Sequence, residues 1–139
     1  MQKYLFENIK INDQHSFSYN LDEKVYKGFI KTFDDRSILH VNSKYAISHG
    51  FKSKVMHGAI LNGFISHFIG CIFPGNNSMI LSTEIGFQKP VYLNEVLELN
   101  IKVIQKVETL KILVLSFKFT SKNQDSKSIG KIKVLLRDE

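Results

Sequence analysis

The segment Val55–Phe73, VMHGAILNGFISHFIGCIF, constrains the fold most, because it is the densest apolar run in the chain. From Gly58 to Cys71 it is apolar almost all round, which is typical of a helix buried on every side. Gly63 and Gly70 lie seven residues apart, on the same side of that helix. Glycine destabilises a helix interior by about 1 kcal/mol, so these two predict a close approach by another backbone. Such a helix needs a second layer to enclose it.

The rest of the chain supplies that layer as strands. Residues 79–88, 97–103 and 131–136 alternate apolar and polar side chains, and residues 110–119 are apolar on both faces at first, a pattern that predicts four antiparallel strands. His15–Tyr19 predicts a short edge strand. No linker or repeat divides the chain. We therefore predict one α+β domain over residues 1–139, in which a curved antiparallel sheet wraps a long buried helix. This is the hot-dog arrangement.

A shorter helix is predicted ahead of the central one. Asn20 with Glu23 three residues later is a helix-start pattern in which Asn20 is the N-cap, and helical spacing continues over residues 24–33. The polar pair Asp34-Asp35 should end this helix. The residues between Asp35 and His40 are expected to form a loop, followed by one or two helical turns up to residue 50.

Composition excludes several classes of protein. The net charge is +6, from 19 Lys and Arg against 13 Asp and Glu, which favours an anionic partner. These cations are spread along the chain rather than clustered, so we predict no nucleic-acid binding. No run reaches the roughly 18 apolar residues of a membrane span, and the N-terminus does not read as a secretory signal. With Cys71 as the single cysteine, we expect a cytoplasmic protein without disulfides and without membrane association.

Asp35 and His40, in the stretch FDDRSILHV, are the first candidates for chemistry. Histidine titrates near neutrality, and a carboxylate beside it could share a water or orient the ring. The alternative is structural: Asp35 caps the following turn, and His40 packs at the base of the loop. Residue types alone leave both interpretations open.

The start of the central helix adds a second candidate site. The amide of Gly58 belongs to the first turn and has no intrahelical acceptor, so it suits an oxygen that becomes negatively charged. Asn62 and Ser66 follow at i+4 and i+8, within about 80° of the same helix face. They either bond structurally or line a cleft. No metal-ligand spacing and no G-x-S-x-G elbow occurs, so we predict neither a metal site nor a serine nucleophile.

Taken together, the stretch DDRSILHVNSKYAISHGFKSKVMHGAI resembles the hydratase 2 motif of MaoC-like (R)-specific enoyl-CoA hydratases. That motif is commonly D-x-N-P-x-H, followed by H-G at the start of the central hot-dog helix. Asp35 and His40 match its Asp and His at the family spacing, and Gly58 follows without a gap. Ser37 and Ile38 stand where the motif has Asn and Pro. The resemblance extends through FPGNNSMILSTEIGFQKPVYLNEVLELNIKV to about residue 103.

The resemblance implies a hydro-lyase that interconverts (R)-3-hydroxyacyl and trans-2-enoyl thioesters of CoA or an acyl carrier protein, with a short acyl chain. Asp35 and His40 would activate one water, and the Gly58 amide would hold the thioester carbonyl. Candidate substrate-binding residues are Gly58, Ser66, Ser37, His57 and Asn62. We expect no cofactor. Family members are usually homodimers, or dimers of dimers, with the thioester along the dimer interface, and the same assembly is expected here.

Two other functions remain open on this fold. A thioesterase would hydrolyse the thioester itself, but hot-dog thioesterases generally carry their carboxylate on the central helix, and no Asp or Glu lies between Gly58 and Cys71. A non-catalytic acyl-thioester-binding subunit is the other alternative. The Asp35–His40 pair argues against it, whereas Ser37 and Ile38 favour it mildly.

Overall fold

A computed structural model describes residues 3–137 of the chain. Its helices are α1 (Glu23–Phe33), α2 (Ile38–Val41), α3 (Ser43–Ser48) and α4 (Ala59–His67), with a π-helical turn (Phe68–Ile72) continuing α4 and a 3-10 turn (Phe6–Asn8) near the start. Its strands are β1 (Gln14–Asn20), β2 (Ser78–Phe87), β3 (Val96–Val107), β4 (Ile112–Ser121) and β5 (Ser126–Leu136).

The five strands form one antiparallel sheet in the order β1-β3-β4-β5-β2. The alternation seen in the sequence is the reason for its two faces, because successive side chains of a strand point to opposite sides. On β3 the inward set is completely buried: Leu97, Leu99, Ile101 and Val103 are all 0% exposed. The same core contains Ile60, Leu61 and Ile65 of α4. The predicted α+β hot-dog fold, with the sheet wrapped around a central helix, is confirmed.

The central helix departs from the prediction in its burial. Asn62, Gly63, Ser66 and His67 are exposed, so the helix is covered on one side and not on all. The prediction that another backbone packs closely against Gly63 and Gly70 is also wrong within this chain. Nothing lies within 4 Å of a β-carbon placed at either glycine. The physical reason is that the sheet covers only the Ile and Leu face. The small and polar residues face outward.

Helix α1 begins two residues later than the sequence predicts. Asp22, not Asn20, is the N-cap, and its Oδ1 accepts from the amide of Val25 at 3.0 Å. Asn20 is instead the last residue of β1, where it is paired with Val96. Helix α1 ends at Asp34, whose φ of 54° is left-handed. The predicted stop at the Asp34-Asp35 pair is confirmed.

The predicted single domain spans residues 1–139, and residues 1–2 and 138–139 lie outside the described part of the chain. Within residues 3–137, no helix is both long and apolar enough to cross a membrane.

Candidate active site

The segment between Asp35 and His40 is partly helical rather than a loop. Helix α2 begins at Ile38, and the amide of His40 donates to the carbonyl of Ser37 at 2.8 Å. This single turn folds the chain back between the end of α1 and the start of α4. As a result, a ring nitrogen of His40 and a carboxylate oxygen of Asp35 lie within 4.8 Å of each other. The structure brings the predicted pair together.

Hydrogen bonds fix the orientation of His40. Its Nδ1 lies 2.7 Å from the carbonyl oxygen of Val55. A carbonyl can only accept, so Nδ1 carries the proton and Nε2 presents a lone pair whenever the ring is neutral. The main chain of His40 is held as well, because the Tyr26 hydroxyl donates to its carbonyl at 2.7 Å. A half-buried imidazole oriented in this way is suited to accept a proton through Nε2.

Ser37 holds the carboxylate of Asp35. Its hydroxyl and its amide both donate to Oδ1 of Asp35, at 2.6 and 3.1 Å. These two bonds are the main cause that lowers the pKa of Asp35, and His57 and His40 lower it further, against a smaller opposing effect of burial. Both bonds end on Oδ1, and Oδ2 accepts no hydrogen bond from residues 3–137. Asp35 is therefore an ionised acceptor with one free oxygen.

His57 contacts both predicted catalytic residues and packs against α1. It is 2% exposed, and its Nε2 lies 2.8 Å from the main-chain carbonyl oxygen of Asp35. Its ring centroid is 4.1 Å from that of His40 and 4.6 Å from that of Phe29. The Nδ1 of His57 is buried and has no hydrogen-bond partner among the described residues.

Asp35, His40 and His57 are also the place where a metal ion could bind. One ligand-type atom from each lies within 4.8 Å of the other two, and no other group of three such residues occurs within residues 3–137. Two imidazoles and one carboxylate would suit a transition metal. The prediction that the site works without a metal stays a prediction.

Gly58 is the N-cap of α4, as the sequence predicts, and its amide has no hydrogen-bond acceptor among residues 3–137. A β-carbon at this position would lie 2.7 Å from two carbons of the Phe87 ring. The glycine therefore permits a close approach from outside the helix. In this structure the approaching group is the half-exposed ring of Phe87, at the end of β2.

Two cavities are lined by residues of this site, one by His40 and the other by Asp35. The smaller, about 350 Å³, is lined by His40, His57 and Gly58 together with Phe87 and Lys89. The larger, about 650 Å³, lies between α1 and α4, and the residues that line it are mostly apolar. They are Val25, Gly28, Phe29, Thr32, Phe33, Asp35, Ala59, Ile60, Gly63 and Phe64. Each member of the predicted catalytic pair therefore lines one of the two cavities, His40 the smaller and Asp35 the larger.

Asn62 and Ser66 are not gathered with this group. Both lie on the exposed face of α4 and line neither cavity. A role in binding substrate stays a prediction for both residues.

Three parts of the site were not predicted from the sequence. They are the Tyr26 hydroxyl, the Val55 carbonyl and the Phe87 ring. The sequence of α1 does not single out Tyr26, and only its burial in the structure (5% exposed) reveals it. The Val55 carbonyl is a main-chain group and leaves no sequence signal. The alternation of β2 indicated where Phe87 lies along the strand but not its contact with Gly58.

The fold is shared with a solved hydratase. The structure of the R-hydratase PhaJ1 from Pseudomonas aeruginosa in the unliganded form superposes with a TM-score of 0.87. The match covers 96% of this chain and 86% of that chain, at 19% sequence identity. At that identity the likeness establishes the hot-dog class of fold and nothing finer.

Sequence comparison points to particular relatives within that class. The chain is 28% identical over 100 residues to the (R)-specific enoyl-CoA hydratase of Rhodospirillum rubrum, over 72% of this chain and 69% of the relative. It is 22% identical over 102 residues to the 3-hydroxybutyryl-CoA dehydratase of Methylorubrum extorquens, over 73% of this chain. That match spans 65% of the length of the M. extorquens protein. No protein-family model matches the chain. The predicted resemblance to (R)-specific enoyl-CoA hydratases is confirmed.

Proposed function

We propose that this protein is a hydro-lyase that interconverts (R)-3-hydroxyacyl and trans-2-enoyl thioesters. The observation that carries the proposal is the placement of an ionised Asp35 carboxylate and a Nδ1-protonated His40 within 4.8 Å. Each presents a free acceptor atom, which is the arrangement that one shared water requires. The names of the R. rubrum and M. extorquens relatives support the same reaction class.

The chemistry follows from these acceptors. A water between them donates one hydrogen bond to Oδ2 of Asp35 and the other to Nε2 of His40. As its oxygen forms the bond to C3 of the enoyl group, His40 takes the proton, and the π pair moves through C2 onto the thioester carbonyl oxygen. The enolate then takes that proton back at C2, which restores both side chains. Asp35 remains an anion throughout and stabilises the imidazolium.

The negative charge that develops on the thioester oxygen needs a donor. The Gly58 amide at the start of α4 is unpaired among the described residues and borders the cavity that His40 lines. Amides at a helix N-terminus favour negative charge, and one such donor is worth about 10²–10³-fold in rate. The thioester carbonyl accordingly lies in the smaller cavity. The apolar larger cavity beside Asp35 receives the acyl chain.

Crotonyl-CoA tests the proposal. Absorbance of the enoyl thioester and release of free thiol should be followed together, because a hydratase removes the first without producing the second. Thiol release would indicate a thioesterase. If neither signal changes with crotonyl-CoA or with crotonyl carrier protein, the proposal is wrong and a non-catalytic binding subunit is favoured.

We also propose a homodimer, and the edge strand β2 supports it. Within residues 3–137, β2 pairs only with β5, and its Met79, Leu81 and Phe87 are 46%, 45% and 58% exposed. An open apolar edge favours pairing with another strand, and antiparallel pairing of two identical strands is two-fold symmetric. The exposed face of α4 with Ser66 would then meet the second copy. Light scattering should give twice the chain mass of 16.0 kDa, and the mass of one chain would contradict the proposal.

We further propose that the substrate is carried by CoA or an acyl carrier protein and that the protein is cytoplasmic. The net charge of +6 suits the phosphates of CoA or an acidic carrier protein. A single unpaired cysteine, Cys71, is typical of a cytoplasmic protein.

Ser37→Ala should move the pH profile of kcat/KM. The substitution removes the hydroxyl donor that is the largest cause of the lowered Asp35 pKa. Losing a donor to the ionised form raises that pKa, so Asp35 becomes protonated at a higher pH and the acidic limb moves toward neutrality. Activity at the plateau should change less than activity on the acidic limb.

The control is Ser43→Ala, since the Ser43 hydroxyl accepts from the Lys54 amide outside the Asp35–His40 group. An unmoved acidic limb in Ser37→Ala would contradict the assignment of that limb to Asp35.

A further inference from the structure

We propose that His57 is a positioning residue, which holds the main chain of Asp35 so that its carboxylate faces His40. This inference rests on the proposed function and deepens it. His57 is almost completely buried, yet its polar contact is directed at the catalytic segment and not at the core. An apolar side chain in its place would leave the Asp35 carbonyl without this donor.

The tautomer of His57 follows from its bond to Asp35. The carbonyl oxygen of Asp35 lies 2.8 Å from Nε2 and can only accept, so Nε2 carries the proton. The other nitrogen, Nδ1, is buried without a partner among the described residues. A second ring proton would have no acceptor there, which fixes His57 as an Nε2 donor.

The Asp35 segment depends on such a donor because it lies between two regular elements. Asp34 ends α1 in a left-handed conformation, and α2 does not begin until Ile38. The side chains of Tyr26 and His57 bind the two ends of the segment, Tyr26 at the carbonyl of His40 and His57 at the carbonyl of Asp35. Each end of the catalytic stretch is therefore tied to a helix or a helix start that the core holds in place.

The ring of His57 adds a second restraint. It lies against the imidazole of His40, with centroids 4.1 Å apart and an interplanar angle of 31°. Phe29 of α1 packs 4.6 Å from the same ring. A single side chain thus touches both members of the pair. Its loss should separate them, and a misplacement of about 1 Å lowers a rate by about 10²-fold.

A matched pair of substitutions tests the proposal in the full chain. Gln carries an amide donor close to the place of Nε2, and Met has the same length without a donor. His57→Gln should keep kcat for crotonyl-CoA within about tenfold of the wild type, whereas His57→Met should lose about 10²-fold in kcat with KM nearly unchanged. His49→Gln and His49→Met, at an exposed histidine, are the controls and should behave alike.

Several results would overturn the inference. Equal kcat in His57→Gln and His57→Met would show that the donor does not matter, and a rise in KM without a fall in kcat would mean that His57 contacts substrate instead. If His57→Met does not fold, nitrogen NMR of isotope-labelled histidine in the wild type decides. A proton on Nδ1 of His57 overturns the proposal, and one on Nε2 with an active Gln variant supports it. If the wild type is inactive, the proposed function is refuted. The tautomer of His57 can still be measured by NMR in an inactive protein, so the two failures are distinguishable.

Discussion

Asp35→Asn and His40→Asn are each expected to lower the hydration rate of crotonyl-CoA by about 10²–10⁴-fold, the usual worth of a general acid–base group. Asn at position 35 keeps an oxygen for the two Ser37 bonds but removes the negative charge. Asn at position 40 places an amide near Nδ1, so the bond to the Val55 carbonyl can persist while the lone pair of Nε2 is lost. Both variants should therefore fold and should fail in chemistry.

Two neighbours provide controls for these variants. Asp34 is exposed and pairs with Arg36, and His49 is exposed and bonds to the Tyr45 carbonyl within its own turn. Asp34→Asn and His49→Asn should retain full activity. Full activity in either Asp35→Asn or His40→Asn would refute the assignment of that residue to the reaction. Circular dichroism and melting temperatures should be compared across all four proteins.

Gly58→Ala is expected to reduce kcat/KM by about 10²–10³-fold, the loss associated with one oxyanion donor. The added β-carbon would stand in the space over the helix start, where the thioester must approach the amide. The same β-carbon would also collide with Phe87, at 2.7 Å. A simple loss of activity would therefore not distinguish the two causes.

Phe87→Ala separates them. In a protein that already carries Phe87→Ala, the ring is gone and only the approach of substrate can suffer from Gly58→Ala. The double variant should still be about 10²-fold less active than Phe87→Ala alone. If the effect of Gly58→Ala disappears in that background, the glycine serves only to accommodate the ring, and the amide is not the oxyanion donor.

Local sequence patterns predict most of the helices and strands of this fold. The two-residue period of Leu97, Leu99, Ile101 and Val103 predicted a half-buried strand, and these four side chains are fully buried. The helix stop at Asp34 was equally visible, because short polar side chains end helices through local bonds. The N-cap was misplaced by two residues because Asn20 and Asp22 are both good caps. Pairing of Asn20 with β3 decided between them, and that is a long-range contact.

Some residues of the candidate site could likewise be predicted from the sequence, and others could not. Asp35, His40 and Gly58 were found by residue type, spacing and resemblance, and in the structure each of the three lines a cavity, His40 and Gly58 the smaller and Asp35 the larger. The groups that hold His40 in place were not predicted. The Val55 carbonyl and the Tyr26 hydroxyl bond to His40 from 15 and 14 residues away in the sequence, and such contacts leave no local pattern. The exposure of Gly63 and Ser66 also escaped prediction. An apolar helix with small residues looks the same in sequence whether its own chain or a second copy covers it.

The most direct test of the central claim is to follow the oxygen of water. Crotonyl-CoA should be incubated with the protein in water enriched in the heavy oxygen isotope, and the products should be analysed by mass spectrometry. Activation of water by Asp35 and His40 predicts the label on C3 of an intact (R)-3-hydroxybutyryl-CoA, and its absence in Asp35→Asn. Label in the carboxylate of a free acid, with unmodified CoA released, would contradict the account.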